Sequence, residues 1–182
     1  MVRTHPGPAL ALAILCAGGI GFVRPANAET TAQFDVTATV TAGCLVDGLG
    51  GSGNAGRVGV LDFGTDSTFS TATRTATTTT GQAIRLRCTP GVSLTMSIDG
   101  GAHFANARRN LQRGTTTTAR IGYTLCRDAA CNQQIAVGTA VPVTVTGTNS
   151  EDVRLPIYGS LTLPGTLPPG TYTDTLTITL TW

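Results

Sequence analysis

The chain has 182 residues, with 12 basic side chains that are all arginine, 10 acidic ones and a formal charge of +2. That balance supplies no basic patch for nucleic acid or an anionic membrane surface, and the length suits one domain with a real core. Threonine occurs 34 times and helix signals are almost absent, so the composition points to an all-β chain.

Residues 1–28 read as a cleaved export signal. Arg3 and His5 make a basic start, an apolar run follows, and Ala26-Asn27-Ala28 is an A-x-A cleavage site. The run is about a dozen residues, short of the roughly 20 that a membrane-spanning helix needs. Cys16 follows Leu15, where a lipid-attachment site wants a small residue, so it is expected to leave with the peptide. Without Arg3 and Arg24 the 12 basic residues fall to 10, which balances the 10 acidic ones.

Residues 29–182 then form the mature domain. Phe34, Val36, Ala38 and Val40 alternate with polar residues and predict a strand over 33–42. The glycine-rich stretch 48–56 has no lysine and no helix after it, so it is a connection and not a phosphate loop. A short strand is expected over 58–63, an edge strand plus a loop within 66–81, and strands over 83–88 and 92–98. The turn signal Asp99-Gly100-Gly101 closes the last of these. Residues 102–118 read as irregular. A hairpin is expected from 119–126 and 134–137, then a short strand over 141–146. Strand character returns over 152–163, with Pro156 marking an edge or a bulge. In 171–182, Tyr172, Leu176, Ile178, Leu180 and Trp182 share one face of a further strand. Many short strands with turns between them indicate an immunoglobulin-like β-sandwich.

Four cysteines remain in an exported chain, and they read as two disulfides. Three pairings are possible. Cys126 and Cys131 flank a four-residue reversal and pair locally, which leaves Cys44 with Cys88. Zinc is disfavoured because the spacing lacks paired CxxC motifs.

No catalytic motif emerges. His103 is the sole mature histidine and lies in a loop, and no Gly-x-Ser-x-Gly elbow accompanies it. Arg108-Arg109 could clamp an anion, but solvated or structural arginines are the simpler reading. The aspartates fall mostly in turns. No enzyme activity, metal or cofactor is expected.

Both ends of the mature domain are strands with apolar faces. Each either pairs within its own domain or is exchanged with a neighbour, and alternation alone does not decide whose groove a strand fills.

Several blocks, in order, carry a family resemblance. They are Gln33-Phe34-Asp35-Val36-Thr37-Ala38-Thr39-Val40 leading to Gly43-Cys44, then Leu61-Asp62-Phe63-Gly64 and Ile84-Arg85-Leu86-Arg87-Cys88. Ile98-Asp99-Gly100-Gly101, Arg108-Arg109-Asn110-Leu111 and Tyr123-Thr124-Leu125-Cys126-Arg127-Asp128 follow. Leu155-Pro156-Ile157-Tyr158-Gly159 and the closing run from Gly170 to Trp182 complete them. Together they resemble the spore coat protein U domain family, which includes subunits of archaic (Csu-type) chaperone–usher pili.

The resemblance implies an all-β, immunoglobulin-like β-sandwich that is incomplete and is completed by a donor strand. A periplasmic chaperone would first lend that strand and hold the C-terminal carboxylate. At an outer-membrane usher, the N-terminal segment of another subunit, about 29–42, would replace it. Phe34, Val36, Ala38 and Val40 would be the donor side chains, and Leu176, Ile178, Leu180 and Trp182 would border the acceptor groove. The protein would pass through the periplasm to a surface fibre built of pilin subunits, with no membrane segment after signal cleavage. The Cys126–Cys131 pair departs from many relatives, which carry an aromatic residue there. The alternatives are a self-complemented secreted or coat protein and a surface-binding module. The latter is disfavoured because about 154 residues leave no room for a second domain.

Overall fold

The computed structural model describes residues 32–47, 51, 53–54, 56–78 and 84–182. The expected signal at 1–28, residues 29–31 and part of the glycine-rich stretch lie outside them. The chain divides into two compact units, Met1–Thr39 and Val40–Trp182. Of the first, residues 32–39 are described; they are exposed and form no strand. In the second, residues 40–42 are exposed and without a strand as well. The strand expected over 33–42 is therefore absent. Alternation supplies two faces, but a strand also needs a ladder partner to hold its backbone.

Eleven strands are formed among the described residues of the second unit. They are β1 (Cys44–Val46), β2 (Thr73–Thr77), β3 (Ile84–Cys88), β4 (Leu94–Ile98), β5 (Arg109–Arg113) and β6 (Thr116–Cys126). β7 (Val141–Val143), β8 (Val153–Leu155), β9 (Tyr158–Thr162), β10 (Tyr172–Thr173) and β11 (Ile178–Thr181) complete the set. All ladders are antiparallel, in three sheets ordered β1-β3-β8, β10-β5-β6-β9-β2 and β11-β4-β7. No helix occurs among the described residues, and the all-β class is the one that the sequence predicts.

Period-two burial builds the core. Ile84 and Leu86 point inward from β3 while Arg85 and Arg87 point out; Leu94, Met96 and Ile98 point inward from β4. Ile121, Tyr123 and Leu125 do the same from β6. Cys44 pairs with Cys88 at opposed positions of β1 and β3, and Cys126 with Cys131 in the turn after β6, which matches the expected connectivity. A covalent link closing a 44-residue separation contributes about 2–4 kcal/mol by its effect on the unfolded chain. The two disulfides together engage all four of these cysteines.

Several local expectations change. The segment over 58–63 forms no strand. Residues 102–118, expected to be irregular, contain β5 and the start of β6. β5 escapes the hydrophobic pattern because its buried side chains include Arg109, Asn110 and Gln112. Hydrogen bonds allow that burial: Arg109 donates to the carbonyls of Asp99, Ile135 and Ile98 at 2.7–2.8 Å, and Asn110 to those of His103, Ala105 and Arg108. The hairpin after β6 shrinks to a bridge between Cys126 and Gln134.

Two predicted strands are each split between sheets. β8 joins β3, yet β9 joins β6 and β2, with Pro156 and Ile157 at the corner. In the same way β10 joins β5 and β11 joins β4, with residues 174–177 crossing between them. The loop 99–103 holds this second crossing. The Asp99 carboxylate accepts from the N–H groups of Thr177 and Gly101, and Asp99 N–H donates to Thr177 O. Ala102 N–H donates to Thr175 O, and His103 N–H to the Asp174 carboxylate at 3.1 Å. Gly101 sits at φ +81°, and a Cβ there would fall 2.2 Å from Asp174 Oδ2. Both backbone freedom and the absence of a side chain are required at this position.

On the outer face, Arg85 and Arg154 stand directly opposite one another in β3 and β8. Asp152 relieves that like-charge pair, with Oδ2 2.7 Å from Arg154 Nη2 and Oδ1 2.9 Å from Arg85 Nε. Arg154 first and Arg85 second hold the Asp152 carboxyl down to about 2.

A depressed folded pKa stabilises above the ordinary value of 3.8, and that contribution is lost as pH falls towards about 2. The stability gap between wild type and Asp152→Asn, read from urea midpoints, is expected to be small because the group is exposed. It should stay constant above about pH 5 and shrink as the pH drops through that window. Gly101→Ala is expected to cost about 2–3 kcal/mol in the same assay, with an unchanged m-value.

Candidate functional site

A groove of about 1660 Å³ runs along the second unit. Buried side chains from several strands line it: Ile84 from β3, Ile121 and Leu125 from β6, Leu161 from β9, and Ile157 at the corner before β9. One wall is the segment 56–68, and the other is 171–182.

The second wall carries the predicted acceptor residues. Leu176, Ile178 and Leu180 are half-buried and pack against the core, while the threonines between them are exposed. Trp182 is 39% exposed at the end of the wall, and its indole Nε1 lies 3.5 Å from where a Cβ on Gly43 would stand. β11 has a ladder to β4 on one edge only, among the described residues. The structure thus brings the four predicted residues together along one rim. Of the predicted donor residues, Phe34, Val36 and Ala38 lie exposed in the first unit, and Val40 is 94% exposed at the start of the second.

The other wall was assigned no role in the sequence. Val58, Leu61 and Phe63 are partly buried against the core. Gly159 in β9 makes room for them, since a Cβ there would lie 2.5 Å from Leu61 Cδ2 and 2.8 Å from Phe63 Cζ. Phe63 meets Tyr123 with ring centroids 6.2 Å apart and tilted by 56°. The turn Asp62–Gly64, in which Gly64 N–H donates to Asp62 Oδ1 at 2.8 Å, ends the segment. The order of Leu61-Asp62-Phe63-Gly64 is therefore the signal that marks this wall.

Tyr123 links the base of the groove to its second wall. Its hydroxyl donates to Asp174 Oδ2 at 2.7 Å. Burial pushes the phenol well above its ordinary range, and the Asp174 carboxylate adds to the shift while Arg109 opposes it. Burial likewise lowers the Arg109 guanidinium, against the attraction of Tyr123, Asp99 and Asp174. Asp174 also escaped the sequence reading. Its signal is plain in retrospect: by period two it falls on the same face as Leu176 and Ile178, where a charge needs a partner.

The groove sets apolar core side chains beside an edge of β11 that carries no ladder among the described residues. His103 enters the polar cluster through its backbone N–H. Arg109 is a buried staple for carbonyl groups and Arg108 is exposed, in line with the structural alternative for this pair.

No curated protein matches the chain. Among solved structures, a CsuC–CsuE chaperone–tip adhesion subunit pre-assembly complex, from archaic chaperone-usher Csu pili of Acinetobacter baumannii, is similar. It is 17% identical over 79% of this chain and 40% of that chain, with a TM-score of 0.43. A chaperone–tip adhesin complex of CFA/I fimbriae biogenesis is 18% identical over 60% of this chain and 35% of that chain, with a TM-score of 0.39. This chain spans two fifths or less of the length of both. The Spore Coat Protein U domain matches residues 30–179. The chain belongs to the spore coat protein U domain family.

Proposed function

We propose that the protein is a structural subunit of a chaperone–usher surface fibre, with no catalytic role. Its groove accepts a strand from outside the domain, and its segment 29–42 is the strand given to the next copy. The observation that carries this is the coincidence, at one place, of an open groove lined by apolar core side chains and, among the described residues, a strand edge without a ladder. An extended segment with alternating apolar side chains answers both needs: its backbone extends the ladder and its side chains fill the groove.

Phe34, Val36, Ala38 and Val40 have that alternation, and their exposure is unfavourable unless they are covered. Burying each large apolar side chain contributes about 1.5–3 kcal/mol, so three such anchors and a ladder make a durable joint. Ala38 would be the shallow position. Until it is filled, the groove exposes apolar surface beside an open edge, which favours aggregation. A periplasmic chaperone that lends a strand would protect it in transit, and an outer-membrane usher would be the place of exchange. The subunit would then be exported through the periplasm to the cell surface, where copies join as a fibre.

Without residues 29–42, the mature domain is expected to stay folded with its groove occupied by the chaperone but to form no polymer ladder. A synthetic peptide of residues 29–42 should replace the chaperone and raise Tm by about 5 °C or more, whereas the same peptide carrying Val36→Asp should not. A full-length chain that stays monomeric at every concentration, together with a deletion that simply unfolds, would mean that the segment completes its own sandwich. The fibre proposal would then fail.

A further inference from the structure

The pairing of β11 with β4 is degenerate in its own sequence. Residues 175–181 read Thr-Leu-Thr-Ile-Thr-Leu-Thr, and β4 reads Leu-Thr-Met-Ser-Ile. Sliding one past the other by two residues keeps every apolar side chain inward and every hydroxyl outward. Hydrophobic patterning excludes a one-residue slip but not a two-residue slip. Yet one register is adopted, with Ile178 opposite Ile98, Thr179 opposite Ser97 and Leu180 opposite Met96.

The Asp99–Thr177 bonds do not select it. They use the backbone of Thr177, and a slip would offer the backbone of Thr175 or Thr179 in its place. The Tyr172 hydroxyl donates to Pro168 O within its own turn and travels with the segment. Arg113 Nη1 donates to Pro169 O at an exposed site upstream of the crossing. Asp174 differs from all of these. It is the one charged side chain in 171–182, and its carboxylate is held at both oxygens from other parts of the domain. Tyr123 in β6 donates to Oδ2 at 2.7 Å and His103 N–H to Oδ1 at 3.1 Å, over a site that Gly101 leaves vacant. A two-residue slip would bring Tyr172 or Leu176 to that site and strand the carboxylate.

We infer that Asp174 is the positioning residue that sets the register of β11, and hence the height of Leu176, Ile178 and Leu180 along the groove. If the groove accepts a donor strand, as proposed above, Asp174 decides which donor side chain meets which acceptor side chain. That consequence rests on the proposed function, but the register assignment does not.

The test is cysteine cross-linking in the full-length chain. Ser97→Cys is combined in turn with Thr177→Cys, Thr179→Cys and Thr181→Cys, and the linked peptides are quantified by mass spectrometry. With Asp174 present, the 97–179 link should dominate. In Asp174→Ala, the ratio of 97–177 or 97–181 links to 97–179 links should rise about tenfold, the scale of losing a charge-assisted hydrogen bond. Tyr123→Phe, which keeps the carboxylate but removes a partner, should move the ratio in the same direction by less. Asp174→Asn keeps a carbonyl acceptor and should restore the native ratio. Trp182→Ala should leave it unchanged.

A drop in stability with an unchanged ratio in Asp174→Ala and Tyr123→Phe would make Asp174 merely structural and overturn the inference. So would a shift caused by Trp182→Ala alone. Uptake of the 29–42 peptide by the domain lacking residues 29–42 is measured separately. A clear register shift with no peptide uptake would refute the acceptor role of the groove and leave the register assignment standing.

Discussion

Among the described residues the apolar core is not fully roofed by ladders, and most of what is distinctive about the domain follows from that shortfall. Ile84, Ile121, Leu125 and Leu161 are buried yet line a groove. Above them, one wall forms no strand and the other is bonded along one edge among the described residues. An apolar surface attracts any hydrophobic group, and an open strand edge attracts any extended backbone. Where both needs coincide, the complement is narrowly defined: a β-strand with apolar side chains at alternate positions.

Such a groove is useful only if its walls hold their places while it is open. A polar cluster, buried at Arg109, Asn110 and Tyr123, meets that need on the side of β11. Arg109 and Asn110 bind the carbonyls of the loop 98–108, and this loop binds the crossing 174–177 through Asp99, Ala102 and His103. Tyr123 closes the cluster from the core by way of Asp174. Buried polar groups are costly unless satisfied, and that cost is why they specify one arrangement where Leu and Thr repeats permit several. On the opposite wall, shape does the equivalent work, as Gly159 admits Leu61 and Phe63.

Much of this was legible in the sequence, and the exceptions have physical causes. The inward positions of β3, β4, β6, β8 and β9 follow from alternation alone, and cysteine spacing pointed to both disulfides. β5 was hidden because its inward side chains are polar and rely on carbonyls from distant loops. Asp174 lay in plain view on an apolar face, but its partners Tyr123 and His103 are 51 and 71 positions away. The segments over 33–42 and 58–63 have strand-like patterns and form no strand, since a strand depends on contacts that local sequence does not contain.

The amino-acid sequence by itself determined which side of each strand faces inward, because side chains alternate with the pleat whatever the neighbour is. It also determined the all-β class and the shared face of Leu176, Ile178, Leu180 and Trp182. Only the tertiary structure decided which sheet each half-strand joins, as at Pro156 and at 174–177, where the inward face continues while the hydrogen-bonding partner changes. The physical reason is that burial is written in the period of a single strand, whereas a ladder is a relation between two. Groups that hold such crossings in place, such as Asp174 and Tyr123, are 51 positions apart and meet only when the chain has folded.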